Sequence, residues 1–346
     1  MARLLKPSPP FSVQLLRIKG EGHGDSDSDD IASLLPASYR TRSDDLAPVR
    51  PDTTCIAREL DVRRLTRVSS WIWVAGRPMP PRPLHHQLLL GREIFLTEQM
   101  DMHLVWTTGR IFLKPIPRFL LEPRFWTDYL SCAGPDCTCS KDAEEASPRD
   151  RIHHQPHQSL WKCALGFLFS YVALIMHESD FLMAKEKYLI PAEVKWSDWR
   201  ILVAQLDTEH IYPRIDERFY YGELRLSRLN KIYVLSQPPI FRGYMSQWHQ
   251  YGTFFQDNFA WLASATVFIA IVLTAMQLGL ATKTLADNDA FQSASYGFTI
   301  FSILGPLVAS GLIFLVFCFM FLNNWAVAAA YKKKRLQHMH IHLDKA

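Results

Sequence analysis

The chain has 346 residues, of which 48% are hydrophobic and 21% are charged, and its formal net charge at pH 7 is +4. This length allows one or two domains, and so small a positive charge argues against nucleic acid as a partner. The six cysteines lack the regular spacing of a secreted disulfide scaffold, which is typical of a protein from a reducing compartment.

Residues 1–52 are predicted to form a disordered tail. Gly20–Asp30 consists of glycine, serine, histidine and acidic residues and offers almost nothing to bury. No secretory signal is recognisable in this tail. Its first 20 residues contain four basic residues and no acid, which leaves a mitochondrial presequence open, although their prolines disfavour an amphipathic helix.

Residues 53–130 are predicted to form a mixed α/β part on the cytosolic side. Asp61 can cap a helix that runs to Ala75 and ends at Gly76. Further elements are predicted as strands at Glu93–Thr97, Met102–Thr107 and Arg110–Lys114 and as a helix at Pro123–Leu130. The dipeptide Thr108-Gly109 suits a hairpin turn between the last two strands.

A proline-rich segment follows the first predicted helix. The residues Arg77, Pro80 and Pro83 are spaced as in a proline-helix ligand, in which a basic residue sets the polarity of binding to an aromatic groove. The segment lies between two apolar elements, so a rigid internal connector is the alternative interpretation.

Residues 131–158 are predicted to be a flexible insert that mixes glycine, proline and charged residues with possible zinc ligands. The possible ligands are Cys132, Cys137, Cys139, His153, His154 and His157. Their spacing matches neither a zinc knuckle nor a zinc ribbon, so an insert without a metal is the alternative.

Residues 159–258 are predicted to form a helical cytosolic part. Cys163–Met176 is apolar on every side, and its length favours a buried core helix. A third membrane span is the alternative, and it would move everything upstream to the opposite side of the membrane. Further helices are predicted around Asp180–Lys187, Trp196–Leu206 and Asp216–Leu235.

Three clusters of acids and histidines have residue types that acid–base catalysis uses. They are Asp101 with His103, His177 and Glu178 with Asp180, and Asp207 and Glu209 with His210. Each is equally typical of a capped, solvated helix end. The sequence contains no nucleophile elbow, zinc-protease motif, phosphate loop or dinucleotide fingerprint, so we predict no catalytic residue and no cofactor.

Two long uncharged runs, residues 259–281 and 298–322, are predicted to be transmembrane helices, because each exceeds a hydrocarbon core of about 30 Å as a helix. The loop 282–297 carries one cation, whereas the tail 323–346 contains Lys332–Arg335. The positive-inside rule therefore places both termini in the cytosol and the loop on the far side.

The side chains of the two runs indicate an anchor. Neither run contains an ionisable residue, whereas proton relays and transporters of charged substrates normally need intramembrane charge. Gly305 and Ala309 offer a small-residue face, so the helices could also pair with one another or with a second copy. The predicted partners are the lipid bilayer and other proteins.

Three blocks, Trp71–Trp126, Phe219–Tyr233 and Phe291–Pro306, resemble an uncharacterised family of filamentous-fungal membrane proteins. Some members of that family are labelled subtilisin-like proteases, but the motifs of that chemistry are missing here. The resemblance implies a fungal source and a cytosolic domain with two spans, and it implies no activity.

The architecture also resembles that of the CorA-type magnesium channels, which have a large cytosolic domain, two C-terminal spans and a basic tail. Those channels carry Gly-Met-Asn at the outer end of the first span, where this chain has Gly279-Leu280-Ala281. The loop keeps Asp287, Asn288 and Asp289, which could attract cations.

We therefore predict an α+β fold, with a mostly helical cytosolic domain followed by a C-terminal two-helix transmembrane hairpin. The leading interpretation of function is a membrane-tethered interaction domain. The alternatives are a divergent CorA-like cation channel and a membrane-bound accessory protein or enzyme of fungal secondary metabolism.

Overall fold

The computed structural model describes residues 9–16, 33–41, 44–49, 53–131, 156–236, 244–245 and 251–339. The chain divides into two compact units, Met1–Met245 and Ser246–Ala346. The first, called here the folded unit, holds the sheet and the hydrophobic cores. The second consists of long apolar helices.

The described helices of the folded unit are short, with one exception. They are α1 (Thr53–Glu59), α2 (Arg63–Thr66), α3 (Ile72–Ala75), α4 (Leu84–Leu89), α5 (Pro123–Asp128), α6 (Pro156–Leu174), α7 (Glu178–Glu186), α8 (Trp196–Gln205) and α9 (Leu226–Ser236). Single 3-10 turns lie at Ser69–Trp71, Met100–Met102, Arg118–Leu121, Tyr212–Arg214 and Glu217–Tyr220.

A mixed four-stranded sheet lies in the folded unit. Its strands are β3 (Glu93–Leu96), β4 (Val105–Thr107), β5 (Arg110–Leu113) and β6 (Leu224–Arg225), in the order β3-β5-β4-β6. The predicted hairpin at Thr108-Gly109 is confirmed, because β4 and β5 pair antiparallel with Thr107 opposite Arg110. Gly109 has φ +73°, a conformation that side-chain-bearing residues rarely adopt. A separate ribbon joins β1 (Ser38–Arg40) to β2 (Leu46–Pro48).

Helix α6 lies at the centre of the larger hydrophobic core. Its residues Ala164, Phe167 and Leu168 are completely buried, together with side chains from α1, β5, α5 and α8. By length and composition α6 and α7 could count as one more membrane crossing, but they meet at a bend of 115°. The burial of α6 within protein supports the core helix predicted for Cys163–Met176 and not the third span.

Part of the N-terminal tail belongs to this core, contrary to the prediction of disorder for residues 1–52. Phe11, Leu15 and Leu16 are buried in it, and the backbone N–H of Ser12 donates to Gln205 Oε1 across 2.7 Å. The disorder prediction followed from the polar segment Gly20–Asp30, which lies outside the described residues. It overlooked that three apolar side chains are enough to hold residues 9–16 on a core.

A second, smaller core joins α2, α3 and α9, through buried residues that include Leu65, Ile72, Leu229 and Ile232. The single helix predicted from Asp61 to Ala75 is wrong in this respect. Two short helices and a 3-10 turn cover that range, since Val68 leaves the helical region with φ −119° and ψ 17°. Asp61 Oδ1 accepts from Arg63 N across 2.9 Å, but the N-cap residue of α2 is Val62, which makes no side-chain cap hydrogen bond.

The helix predicted over Asp216–Leu235 is also divided. A 3-10 turn at Glu217–Tyr220 and strand β6 precede α9, which begins only at Leu226. Leu224 N donates to Leu104 O across 2.9 Å, and β6 pairs with β4. Pairing with a strand more than 100 residues earlier therefore overrides the local helical pattern.

The second unit contains α10 (Tyr251–Leu280), α11 (Lys283–Ala286) and α12 (Asp289–His338). Within the described residues two helices, Phe259–Leu280 and Asp289–Gln337, are long and apolar enough to cross a membrane. At 1.5 Å per residue, the 50 residues of α12 extend about 75 Å. The helix therefore continues beyond the predicted span 298–322 on both sides.

Candidate functional site

His103 is the most deeply buried histidine that the structure describes, with 1% of its surface exposed. The backbone N–H of Lys114 donates to its Nδ1 across 3.1 Å, so the ring proton sits on Nε2 and is donated to Ser170 Oγ, 2.9 Å away. Burial lowers the pKa of His103 well below its ordinary value, and the charges of Arg218 and Lys114 act in the same direction. The imidazole is therefore neutral at pH 7.

The direction of these hydrogen bonds excludes a serine–histidine nucleophile. In such a pair the histidine accepts the hydroxyl proton. Here Ser170 accepts from His103 and donates its own proton to Phe167 O, 2.6 Å away. Ser170 is also buried, so a substrate has no access to its oxygen. The pair is a satisfied hydrogen-bonded unit of the core.

Two buried cations hold the segment around His103 in place. Lys114 is fully buried, and its Nζ donates to Glu59 Oε2 and to Glu98 O, each 2.7 Å away. Arg218 donates to His103 O across 2.8 Å. Burial lowers the pKa of Arg218 to about 10, so it still carries its charge at neutral pH. These contacts stabilise the fold and leave neither Lys114 nor Arg218 free for chemistry.

Asp101, predicted to act together with His103, points instead to the second core. Its Oδ2 accepts from Arg64 Nη1 across 2.9 Å, and its backbone oxygen accepts from the hydroxyl of Tyr244, 2.7 Å away. Burial raises the pKa of Asp101, and the charge of Arg64 partly offsets that effect. The two residues are therefore not members of one acid–base site.

The other two clusters make local hydrogen bonds at a helix start and in a turn. Asp180 is buried and accepts from the backbone N–H groups of His177 and His85, 3.0 and 2.8 Å away, and it also contacts His85 Nδ1. Asp207 Oδ1 accepts from His210 N in an exposed turn. Asp180 therefore caps the start of α7, although it is buried and not solvated, whereas Asp207 stabilises an exposed turn that follows α8.

The predicted partner motif is bound to the sheet through its backbone. Gly222 N donates to Met79 O across 2.8 Å, and a Cβ at position 222 would lie 2.4 Å from Pro81 N. Arg77 is exposed, whereas Pro80 and Pro83 are half-buried. The segment therefore serves as a connector within the fold. Whether Arg77, Pro80 and Pro83 also bind an aromatic groove stays a prediction.

Glu223 completes the attachment of this segment. Its carboxylate accepts from Arg92 Nη1 at 2.6 Å, from Gln87 Nε2 at 2.8 Å and from Arg82 N at 3.1 Å. Burial raises the pKa of Glu223, but the hydrogen bonds from Arg92 and Gln87 outweigh it and lower the pKa below its ordinary value. The carboxylate is ionised at neutral pH and fully occupied by structural donors.

The predicted zinc ligands Cys132, Cys137, Cys139, His153 and His154 lie outside the described residues, as does the side chain of His157. The metal site therefore stays a prediction. Among the described residues no group of three or more histidine, cysteine or acidic side chains is placed to hold a metal ion.

A cavity of about 190 Å³ lies where the N-terminal segment crosses α6 and α8, and Pro10, Leu165, Gln205 and Arg214 are among its lining residues. The enzyme alternative predicts a pocket lined by Asp101, His103 or His210. None of these three residues lines this cavity.

The loop between the two apolar helices has its own local roles. Asn288 caps α12 by accepting from Phe291 N across 3.1 Å. A Cβ at Gly279 would lie 2.7 Å from the ring of Phe291, so glycine allows α10 and α12 to approach here. This position corresponds to the first residue of the channel signature, and in this chain it serves helix packing.

An exposed run of leucines is the surface feature that the sequence interpretation missed. Leu88, Leu89 and Leu90 are 45%, 79% and 43% exposed at the end of α4. We call these three residues the leucine turn. Leu84 of the same helix is fully buried, so α4 already has an apolar face toward the core. A short helix buries one stripe of side chains, and three consecutive leucines cannot all lie on one stripe. The run of leucines in the sequence could therefore have indicated this exposed apolar surface.

The described residues define an α+β protein with two helices that are long and apolar enough to cross a membrane. The chain belongs to the family of unknown function DUF6601, whose family model matches residues 52–306. The comparison with curated proteins and the comparison with solved structures found no match. The family membership confirms the predicted resemblance, whereas the fungal source stays a prediction.

Proposed function

We propose that this protein is anchored in a membrane by α10 and α12 and that its folded unit binds another protein on the cytosolic side. The anchor part rests on the composition of the spans. The binding part rests on one observation, the three consecutive exposed leucines of the leucine turn in the folded unit.

The anchoring role follows from the absence of charge in the sequence of both spans. A helix that carries ions or protons through a bilayer normally presents ionisable side chains to the pathway. Residues 259–281 and 298–322 contain none. The basic run Lys332–Arg335, set against a loop with one lysine and two aspartates, supports an orientation with both termini in the cytosol.

The binding role follows from the energetics of the leucine turn. Burying one leucine side chain contributes about 1.5–3 kcal/mol. Exposed apolar side chains that adjoin one another mark interaction surfaces more often than single ones do. A protein that covers Leu88–Leu90 would gain this free energy on binding. The described charged and histidine side chains buried inside the folded unit are occupied by structural hydrogen bonds, so they offer no comparable argument for catalysis.

Proximity labelling in the native cell tests the proposal, with the full chain carrying the labelling enzyme at its N-terminus. The variant Leu89→Asp should lose specific neighbours that the unchanged protein labels. Leu46→Asp is the matched control, because Leu46 is 74% exposed in the β1–β2 ribbon and has no such run around it. An unchanged set of neighbours in Leu89→Asp, at equal abundance in the membrane, contradicts the proposed role of the leucine turn.

A further inference from the structure

We propose that a second surface of the folded unit, built by α2, α3 and α9, docks on the anionic lipid surface of the membrane that anchors the chain. The proposal rests on the cytosolic orientation given above and is independent of the leucine turn. The surface, called here the basic face, consists of Arg67, Trp71, Trp73, Arg77, Arg228 and Lys231.

The basic face is held together by the second core. The hydroxyl of Tyr233 in α9 donates to Arg64 O in α2 across 2.7 Å. Arg228 Nη1 donates to Val74 O in α3 across 3.2 Å. Leu65, Ile72 and Leu229 are buried between the three helices. The three helices therefore pack as one unit, and the six residues of the basic face are exposed on its outward sides.

The charge of this surface has a single sign. The segments 62–92 and 224–256 contain no acidic residue, although together they hold nine arginines and lysines before Arg242. Arg67, Arg77, Arg228 and Lys231 are exposed. The acids that adjoin these helices are engaged elsewhere. Asp61 pairs with Arg63, Asp101 with Arg64, and Glu223 with Arg92.

Two tryptophans give the face its apolar component. Trp71 and Trp73 are 54% and 60% exposed on either side of the buried Ile72. Tryptophan is enriched at membrane–water interfaces, where its ring sits at the level of the headgroups. Basic side chains beside exposed aromatic rings are the combination that peripheral segments use on anionic leaflets.

The chain itself favours lipid over an acidic protein as the occupant. Tyr244 is buried in the second core beside α9, and the first apolar span begins at Phe259, so a tether of 14 residues connects the basic face to the span. The tether keeps the face at a high local concentration near the headgroups, so that a weak surface affinity is enough for docking.

The test uses the full chain in nanodiscs and measures quenching of tryptophan fluorescence by brominated lipids. Trp71→Phe/Trp73→Phe is measured in parallel, and the difference between the two proteins reports these two rings. In discs that contain brominated phosphatidylserine we expect the difference signal to be quenched several-fold more than in discs of brominated phosphatidylcholine. High salt should remove this excess, because it screens exposed charges.

Charge reversal gives the matched comparison. Arg67→Glu/Lys231→Glu should abolish the excess quenching, whereas Lys195→Glu/Arg200→Glu, the same change in charge at exposed positions near and in α8, should leave it unchanged. Unaltered thermal unfolding of each variant serves as the check on folding. Equal quenching in both lipids, or equal loss in both double variants, overturns the proposal. Shielding of the two rings in native membranes but in no nanodisc identifies a protein partner and overturns it as well.

Discussion

His103 and Ser170 form a hydrogen bond in which the histidine is the donor, with 2.9 Å between Nε2 and Oγ. This direction makes the pair structural, and it fixes a neutral imidazole in the core. Because burial lowers the pKa of His103, the unfolded chain takes up a proton below about pH 6.5 that the folded chain does not. The contribution of the neutral His103 to stability is therefore fully present above that pH and is lost as the pH falls below it.

His103→Gln checks this pH dependence. Glutamine can still accept from Lys114 N and donate to Ser170, but it does not titrate. We expect the variant to be destabilised by about 1–3 kcal/mol at pH 7.5, since the fit of the ring is lost. Its unfolding temperature should fall less steeply than that of the unchanged protein between pH 7 and pH 5. Parallel curves for the two proteins over this range would show that His103 does not contribute to the acid sensitivity.

Gly222→Ala tests the close contact between the proline-rich connector and the start of β6. The new Cβ would lie 2.4 Å from Pro81 N and 2.6 Å from Met79 O, and neither backbone atom can move without shifting the connector. We expect a loss of about 1–3 kcal/mol in the free energy of unfolding. Gly297→Ala is the control, because nothing lies within 4 Å of the added carbon there. Equal unfolding temperatures for the two variants would contradict the packing described for Gly222.

The two acidic partners of the buried Lys114 should contribute unequally to the free energy of unfolding. The side chain of Glu59 is 22% exposed, whereas that of Glu98 is 80% exposed. Glu59→Gln removes the charge from the more enclosed partner and should cost about 1–3 kcal/mol. Glu98→Gln should cost less than about 1 kcal/mol, because exposed ion pairs contribute little. Chemical denaturation of both variants measures the difference, and the reverse order would be inconsistent with the observed geometry.

Cation transport separates the anchor from the channel alternative. Liposomes that carry the full chain should take up Mg²⁺ no faster than empty liposomes, since the spans lack charge and Gly279 serves helix packing. A magnesium-sensitive dye inside the liposomes measures the uptake. Uptake that depends on the protein, together with a pentamer in detergent, would replace the anchor by a channel.

The features that the sequence predicted are those encoded by local pattern. The hairpin at Thr108-Gly109, the helix that begins at Pro123 and the apolar helices of the second unit all depend on residues that are neighbours in the chain. The core position of α6 was predicted from the stretch Cys163–Met176, which is apolar on every side and, at 14 residues, shorter than a membrane span.

The features that the sequence did not predict depend on distant pairs. Strand β6 exists because Leu224 and Arg225 pair with β4, although their local pattern is helical. His103 meets Ser170 across 67 positions, and Gln14 donates to Glu122 across 108. No periodicity reports such contacts. The sequence therefore shows the titratable residues of the core, such as His103, but it does not show their hydrogen-bond partners.

Protease protection in sealed vesicles of the native membrane tests the central claim most directly. One tag is placed at each terminus and a third between Ala286 and Asn288, and alkaline carbonate extraction is run in parallel. We expect the protein to stay in the membrane pellet, with both terminal tags digested from the cytosolic side and the loop tag protected. Release of the protein by carbonate, or digestion of all three tags from one side of intact vesicles, would contradict a two-span anchor with a cytosolic folded unit.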